Sequence, residues 1–219
     1  MEATPPLLLP PPLAPGDAIG FFSPSAPATV FAPPRFERAR RFLEQRGHRL
    51  VAGGLTGASE GYRSGSPRAR AEEFNALIRD PQVRCVMSVI GGNNSNGMLP
   101  HLDVEALRRD PKIIVGYSDV TALLLGIHAR TGLVTFHGPA LVASFGELPP
   151  LVDETWDAFA AVVGGPGRGR LELPVPPRWT DQRIEWEQQR EAKDTRPNAV
   201  RVHAGGGVIR GRLIGGNLN

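Results

Sequence analysis

The chain has 219 residues, 41% of them hydrophobic, and a formal net charge of +3, a length that allows one large domain or one domain and part of another. Its basic residues are scattered, and it has one cysteine and no run of about 20 apolar residues, which argues against a nucleic-acid-binding protein, a disulfide framework and a membrane span. We therefore expect a globular cytoplasmic protein with no nucleic-acid or membrane partner, in which Cys85 is a buried, inert thiol.

The chain begins with a proline-rich segment that lacks the basic region and apolar core of a signal peptide. It predicts an extended, disordered tail over residues 1–15. Downstream, short apolar runs that predict strands alternate with periodic patterns that predict helices. The predicted strands cover residues 18–22, 49–51, 83–90, 112–115 and 133–136. The predicted helices cover residues 35–46, 67–79, 103–109, 122–127 and 152–163. This alternation predicts an α/β fold with a flavodoxin- or Rossmann-like parallel sheet and helices on both faces.

The sequence changes in character after a glycine- and proline-rich break at residues 164–167. We predict an N-terminal α/β domain over residues 16–165 and an inter-domain linker over 166–204, within which residues 171–175 could form a strand. Residues 205–219 look like the start of a second, β-rich domain. Because the sequence stops at Asn219, just as that domain begins, we expect the chain to be truncated there.

The stretch from Lys112 to Arg130 carries the first candidate for chemistry. An apolar strand pattern ends at Gly116, a helix pattern follows, and Ser118 lies in the turn between them. A serine on a tight strand-to-helix turn is held out at the end of the sheet, where a nucleophile could act. Serine and aspartate are also ordinary helix N-cap residues, and Val120 replaces the second glycine of the G-x-S-x-G pattern. Both interpretations of Ser118 remain open at this point.

The second candidate is the motif GGNNSNG at residues 91–97, directly after a predicted strand. Glycines let the backbone turn sharply and present N–H groups, which suits an oxyanion hole or a carboxylate cradle. The motif is equally good turn chemistry, and it lacks the Gly-Lys-Ser/Thr ending of a phosphate-binding P-loop. Since ligands of parallel sheets bind beyond the carboxyl ends of the strands, this loop and the Ser118 turn can meet there.

These motifs together resemble the LD-carboxypeptidase family of serine peptidases, and within it the microcin C immunity branch. The matching motifs occur in family order at residues 16–17, 23–25, 91–96, 116–119, 136–139 and 211–218. Each is weak alone, but the ordered combination is specific. The segment WTDQRIEWE at residues 179–187 is similar to the inter-domain segment of the immunity branch, where aromatic residues contact a nucleobase.

The resemblance implies a role for each motif. Ser118 would be the nucleophile, and the N–H of Asp119 would form an oxyanion hole with one from Gly91 or Gly92. The implied substrate-binding residues are Asn93, Asn94, Ser95, Asn96, Trp179 and Trp186. The family cleaves an amide next to a free carboxylate, so the expected partner is a small peptide, as in murein, or an aminoacyl-nucleotide. No cofactor or metal is implied, and the family is commonly dimeric, so a homodimer is compatible with the resemblance.

The sequence departs from the family pattern in one respect. The family uses a Ser-His-Glu triad whose His and Glu follow the motif at 211–218, and neither is present in these 219 residues. An unactivated serine hydroxyl is a weak nucleophile near neutral pH. His137 matches a family position that is not the base, and we interpret it as a structural hydrogen-bonding residue. The sequence therefore predicts a chain that is nearly inactive alone. The alternatives are a non-catalytic remnant that binds a carboxylate- or nucleotide-bearing ligand, or an unrelated flavodoxin-like binding module.

Overall fold

A computed structural model of the protein describes residues 7–165, 171–173, 175–199, 205, 207–208, 210–211 and 215–217. One parallel sheet contains the strands β1 (Ala18–Phe22), β2 (Arg49–Ala52), β3 (Val83–Ser88), β4 (Ile113–Gly116) and β5 (Phe136–His137). The strand order is β2-β1-β3-β4-β5, and each neighbouring pair is parallel. This is the flavodoxin-like doubly wound order, so the predicted fold class is confirmed.

The helices connect these strands. They are α1 (Ala28–Phe31), α2 (Pro33–Gln45), α3 (Pro67–Arg79), α4 (Val104–Arg109), α5 (Thr121–Thr131) and α6 (Leu151–Val163). Short 3₁₀ turns cover Ser95–His101 and Ser118–Val120, and a π-helical turn covers Leu141–Phe145. The Ser66 hydroxyl accepts a hydrogen bond from the Ala69 N–H at the start of α3, as its sequence predicts. No helix in the described part of the chain is long and apolar enough to cross a membrane.

Alternating side chains of the central strands fill two hydrophobic cores, one on each face of the sheet. In β3, Cys85 and Met87 point into the core beneath α2 and α6, whereas Val86 points into the core beneath α3, α4 and α5. Burial raises the pKa of the Cys85 thiol, so the predicted buried cysteine is confirmed. Burial on both faces explains why β1 and β4 are continuously apolar in sequence, and why Arg84 is the only charged residue of β3.

Three predicted segments differ from the structure. The predicted disorder does not hold for residues 7–15, because Leu13 is buried and the backbone at Leu8 bonds to Gly132 and Val134 at 2.9 and 2.8 Å. The strand predicted over residues 133–136 begins later, because β5 covers only Phe136–His137, and Leu133 forms an isolated bridge with Leu8 instead.

No strand is present in the described residues of 171–175. A two-stranded antiparallel pair, β6 (Arg178–Trp179) and β7 (Arg196–Pro197), lies further along the predicted linker. Much of the predicted second-domain start at 205–219 lies outside the described residues.

Candidate active site at the carboxyl edge of the sheet

Three loops meet beyond the carboxyl ends of the central strands. They follow β1, β3 and β4 and contain, respectively, Ser25, the GGNNSNG motif and Ser118. The Ala26 N–H donates to the Gly91 carbonyl oxygen at 3.2 Å, and this bond joins the first loop to the second. The topology therefore brings together the two motifs that the sequence singled out, at the place where parallel sheets bind ligands.

Ser118 adopts a left-handed conformation, with φ of 57°. This conformation is rare for a residue other than glycine, and it is typical of a strained strand-to-helix elbow. The N-cap interpretation is wrong for this residue: Tyr117 occupies the N-cap position of the 3₁₀ turn, Val120 that of α5, and neither helix start has a side-chain cap. Ser118 is partly exposed, so its hydroxyl stands at the edge of the sheet.

Gly91 brings the second loop directly against the elbow. A methyl group added to its Cα would lie 2.8 Å from Ser118 Cβ, 3.0 Å from Ser118 Oγ and 3.4 Å from the Asp119 nitrogen. Only glycine permits this approach. Within the part of the chain that the structure describes, neither the Asp119 N–H nor the Gly92 N–H has a hydrogen-bond acceptor. Two unpaired donors next to a serine hydroxyl can stabilise an oxyanion that forms at that serine.

The Asp119 carboxylate ties all three loops together. Its Oδ2 accepts hydrogen bonds from Ser25 Oγ at 2.5 Å and from the Ser95 N–H at 2.9 Å. The Ser95 hydroxyl in turn donates to the Asp119 carbonyl oxygen at 2.7 Å. Ser25 and Ser95 are fully buried. Both hydrogen-bond donors of Ser95, its N–H and its hydroxyl, therefore hold the elbow.

The loop after β1 is itself held by α3. The Glu73 carboxylate accepts from the Ser23 N–H and from the Leu55 N–H, each at 2.9 Å. Burial raises the pKa of the Glu73 carboxyl, and the two backbone bonds partly offset this effect. The Arg70 guanidinium, fully buried, donates to the Pro24 carbonyl oxygen. These contacts fix the loop that presents Ser25 to Asp119.

The remaining residues of the GGNNSNG motif face outward. Asn93, Asn94 and Asn96 are exposed, and Asn94, at φ of 69°, donates from its side-chain amide to the Tyr62 hydroxyl at 2.8 Å. Tyr62 is 57% exposed and was not identified as a candidate from the sequence. Only its position in a glycine- and serine-rich loop could have drawn attention to it.

No described histidine bonds to Ser118. His137 is exposed and lies opposite Gly116 in the register of β4 and β5, but no hydrogen bond joins it to the Ser118 hydroxyl. His128 faces the Leu133 carbonyl oxygen at 2.9 Å, and His203 lies outside the described residues. The described part of the chain thus presents a candidate nucleophile and candidate oxyanion donors, but no base bonded to that nucleophile.

The segment from Gln182 to Lys193 borders a cavity of about 490 Å³. Trp186 lines it together with Phe31, and their rings stack with centroids 6.1 Å apart. Trp179 does not line this cavity; it lies in β6 beneath the Arg196 guanidinium, 5.5 Å from the ring centre. The structure therefore separates the two tryptophans that the sequence grouped together.

Glu147 anchors this segment to the α/β domain. Its carboxylate bonds to Lys193 at 2.8 Å and to Arg35 at 3.0 Å. Burial alone would raise the pKa of Glu147, but hydrogen bonds from Lys193, the Leu148 N–H, Gln189 and Arg35 outweigh burial and lower the pKa from 4.5 to about 2. The carboxylate is therefore ionised wherever the protein is folded near neutral pH.

The lowered pKa of Glu147 predicts a pH-dependent contribution to stability. A depressed carboxyl pKa stabilises the folded state above the unfolded value and loses this effect as the pH falls toward the folded value. We expect the free energy of unfolding of the wild type to exceed that of Glu147→Gln by up to about 3 kcal/mol at pH 6. This difference should shrink as the pH falls from 4.5 to 2. Urea unfolding of both proteins across this range measures it. Glu37→Gln, which removes an exposed ion pair with Arg40, is the control, and a difference that does not change with pH would contradict the prediction.

Comparison with known proteins gives a consistent result. The LD-carboxypeptidase N-terminal domain family matches residues 19–138. A Vibrio cholerae protein named as a carboxypeptidase by similarity is 61% identical over 204 residues, which cover 93% of this chain and 60% of that protein. The microcin C7 self-immunity protein MccF of Escherichia coli is 51% identical over 216 residues, covering 97% of this chain and 62% of MccF.

A solved structure of MccF in complex with aspartyl sulfamoyl adenosine superposes with a TM-score of 0.84 at 51% identity, over 87% of this chain and 57% of that one. The chain therefore spans about 60% of the length of the curated relatives it matches. The described α/β domain shares its sequence with both relatives and its fold with MccF.

Proposed function

The chain belongs to the LD-carboxypeptidase family of serine peptidases, and we propose that it carries the nucleophile and oxyanion hole of a hydrolase that cleaves an amide bond next to a free carboxylate. The observation that carries this proposal is the conformation of Ser118. It is left-handed, lies beyond the end of β4 and sits against Gly91. Strain of this kind persists only where the surrounding structure enforces it, and it concentrates at functional sites.

In the proposed reaction, Ser118 Oγ attacks the carbonyl carbon of the scissile amide. The carbonyl oxygen becomes an oxyanion and accepts hydrogen bonds from the Asp119 N–H and from the N–H of Gly91 or Gly92. Removing one such donor typically costs about 3 kcal/mol of transition-state stabilisation. The Ser118 proton must pass to a base and then to the leaving amine. Since no described residue bonds to Ser118 Oγ, we propose that these 219 residues alone are nearly inactive.

We propose an aminoacyl-nucleotide as the substrate, with a murein peptide as the second candidate. The cavity lined by Trp186 and Phe31 supports the first, because aromatic rings are suitable stacking partners for a nucleobase. The MccF structure with aspartyl sulfamoyl adenosine shows that a relative binds such a molecule. Asn93, Asn94 and Asn96, on the exposed side of the second loop, would contact the carboxylate and aminoacyl portion of the substrate.

Binding of aspartyl sulfamoyl adenosine to the 219-residue chain tests this proposal without requiring turnover. We expect measurable binding by calorimetry, and an affinity about 5- to 150-fold lower in Trp186→Ala, because stacking on an aromatic ring contributes roughly 1–3 kcal/mol per base. Trp179→Ala is the matched comparison, and we expect the smaller effect there since Trp179 lies outside the cavity. Binding of an LD-tetrapeptide but not of the nucleoside compound would favour the murein substrate instead.

A further inference from the structure

Arg35 is a charged side chain buried inside the α/β domain, and the proposed reaction makes no direct use of it. It belongs to α2 and its side chain is 2% exposed. Its Nε donates to the Val142 carbonyl oxygen at 3.0 Å, and its Nη2 donates to the Ala143 carbonyl oxygen at 2.8 Å. These bonds fix the plane of the guanidinium against the π-helical turn. The remaining donors are free to hold another part of the chain.

Those donors reach the segment that borders the cavity. Arg35 Nη1 donates to Gln189 Oε1 at 2.5 Å, and Gln189 Nε2 donates to the Glu147 carboxylate, which also accepts from Arg35 Nη2. Gln189 is 1% exposed, although its neighbours Gln188 and Arg190 are exposed. Gln189 is thus inserted into the domain between two exposed neighbours, and both the oxygen and the nitrogen of its amide are hydrogen-bonded.

The same guanidinium covers Trp186. Its central carbon lies 4.6 Å from the centre of the indole ring. Trp186 and Gln189 belong to one turn, because the Gln188 and Gln189 N–H groups both bond to the Glu185 carbonyl oxygen, at 2.9 and 3.0 Å. Arg35 therefore holds this turn at two points. The edge of its guanidinium donates a hydrogen bond to Gln189, and the guanidinium also makes a cation–π contact with Trp186. Only a planar guanidinium can make both contacts at once.

We infer that Arg35 is a positioning residue that, with Gln189, fixes the ring of Trp186 in its orientation before any ligand binds. The inference deepens the proposed function and rests on it for the identity of the ligand. A ring that is already ordered loses little conformational entropy when a nucleobase stacks on it. Loosening the turn should therefore weaken binding of base-containing ligands and spare ligands that lack a base.

The orientation of Trp186 can be measured in the absence of ligand. The full chain contains three tryptophans, so labelling with 5-fluorotryptophan gives three ¹⁹F resonances, which Trp→Phe variants assign. In Gln189→Ala and Arg35→Lys we expect the Trp186 resonance to shift or broaden while that of Trp179 is unchanged. Arg40→Lys is the matched control, since Arg40 lies on the same helix but pairs with Glu37 and Glu44 at the surface. An unchanged Trp186 resonance in folded Gln189→Ala would overturn the inference.

A second measurement separates this inference from the proposed function. We expect Gln189→Ala to lower the affinity for adenosine monophosphate about three- to tenfold and to leave the affinity for ribose 5-phosphate unchanged. Equal loss for both ligands would overturn the positioning role, because it would show general damage to the site. If adenosine monophosphate fails to bind the wild type, the nucleotide proposal is wrong, and the ¹⁹F spectra still decide whether Arg35 and Gln189 fix Trp186.

Discussion

Purified on its own, the 219-residue chain should hydrolyse an aminoacyl-nucleotide or an LD-tetrapeptide several orders of magnitude more slowly than an ordinary enzyme, and Ser118→Ala should barely alter that rate. Ser118, Gly91 and Asp119 lie together within one domain, so the donors that we propose for the oxyanion hole are already assembled. No described residue bonds to the Ser118 hydroxyl to take its proton. Without a base, only binding and the oxyanion hole contribute to catalysis, which leaves a small residual acceleration.

The assay compares the parent chain with Ser118→Ala on both substrates. Turnover at about 1–1000 per second, abolished by Ser118→Ala, would show that a base is present within the chain. His137→Ala would then be the next variant, because His137 lies opposite Gly116 across the β4–β5 pair. Loss of activity in that variant would make our structural interpretation of His137 wrong.

The sequence predicted the central strands β1, β3 and β4 well because these strands are buried on both faces of the sheet. Residues 18–22 form a continuous apolar run, and in residues 83–88 only Arg84 and Ser88 are polar. Short apolar runs of this length between turn residues are typical of buried strands. The approach of the second loop to Ser118 was also predictable, since both follow strands of one parallel sheet. The identity of the neighbouring strands was not, because strand order depends on how the helices pack.

The ambiguity of Ser118 could not be resolved from sequence alone. A capping serine and a nucleophile occupy the same kind of turn, and they differ in backbone conformation, which only the structure shows. The contacts of Arg35 were unpredictable for another reason. Its partner Gln189 lies 154 positions away, in a polar segment with no periodic pattern. Long-range polar pairs of this kind leave no local signal in one sequence.

Asp119 also makes long-range hydrogen bonds, to Ser25 and Ser95, and its substitution tests whether these bonds hold the three loops together. Asp119→Ala should destabilise the folded chain by about 3 kcal/mol, since hydrogen bonds to charged groups contribute roughly 1.5–3 kcal/mol each. It removes the acceptor for both Ser25 and Ser95, and it leaves the buried Ser95 N–H unpaired. Asp119→Asn should cost about 1 kcal/mol, because both bonds end on one oxygen that an asparagine amide can supply.

Urea unfolding measures the loss of global stability, and amide hydrogen exchange measures local detachment of the second loop. In Asp119→Ala we expect faster exchange at the Ser95 N–H than global unfolding accounts for, because the second loop detaches from the elbow locally. Asp157→Ala provides the control, since Asp157 is exposed on α6 and surface substitutions usually change stability by less than about 0.5 kcal/mol. If Asp119→Ala proved as mild as this control, with Ser95 still protected, the carboxylate would not be what joins the loops. The left-handed conformation of Ser118 would then have to be enforced by the packing of Gly91 and Gly116 against Ser118, Ser88 and Val120.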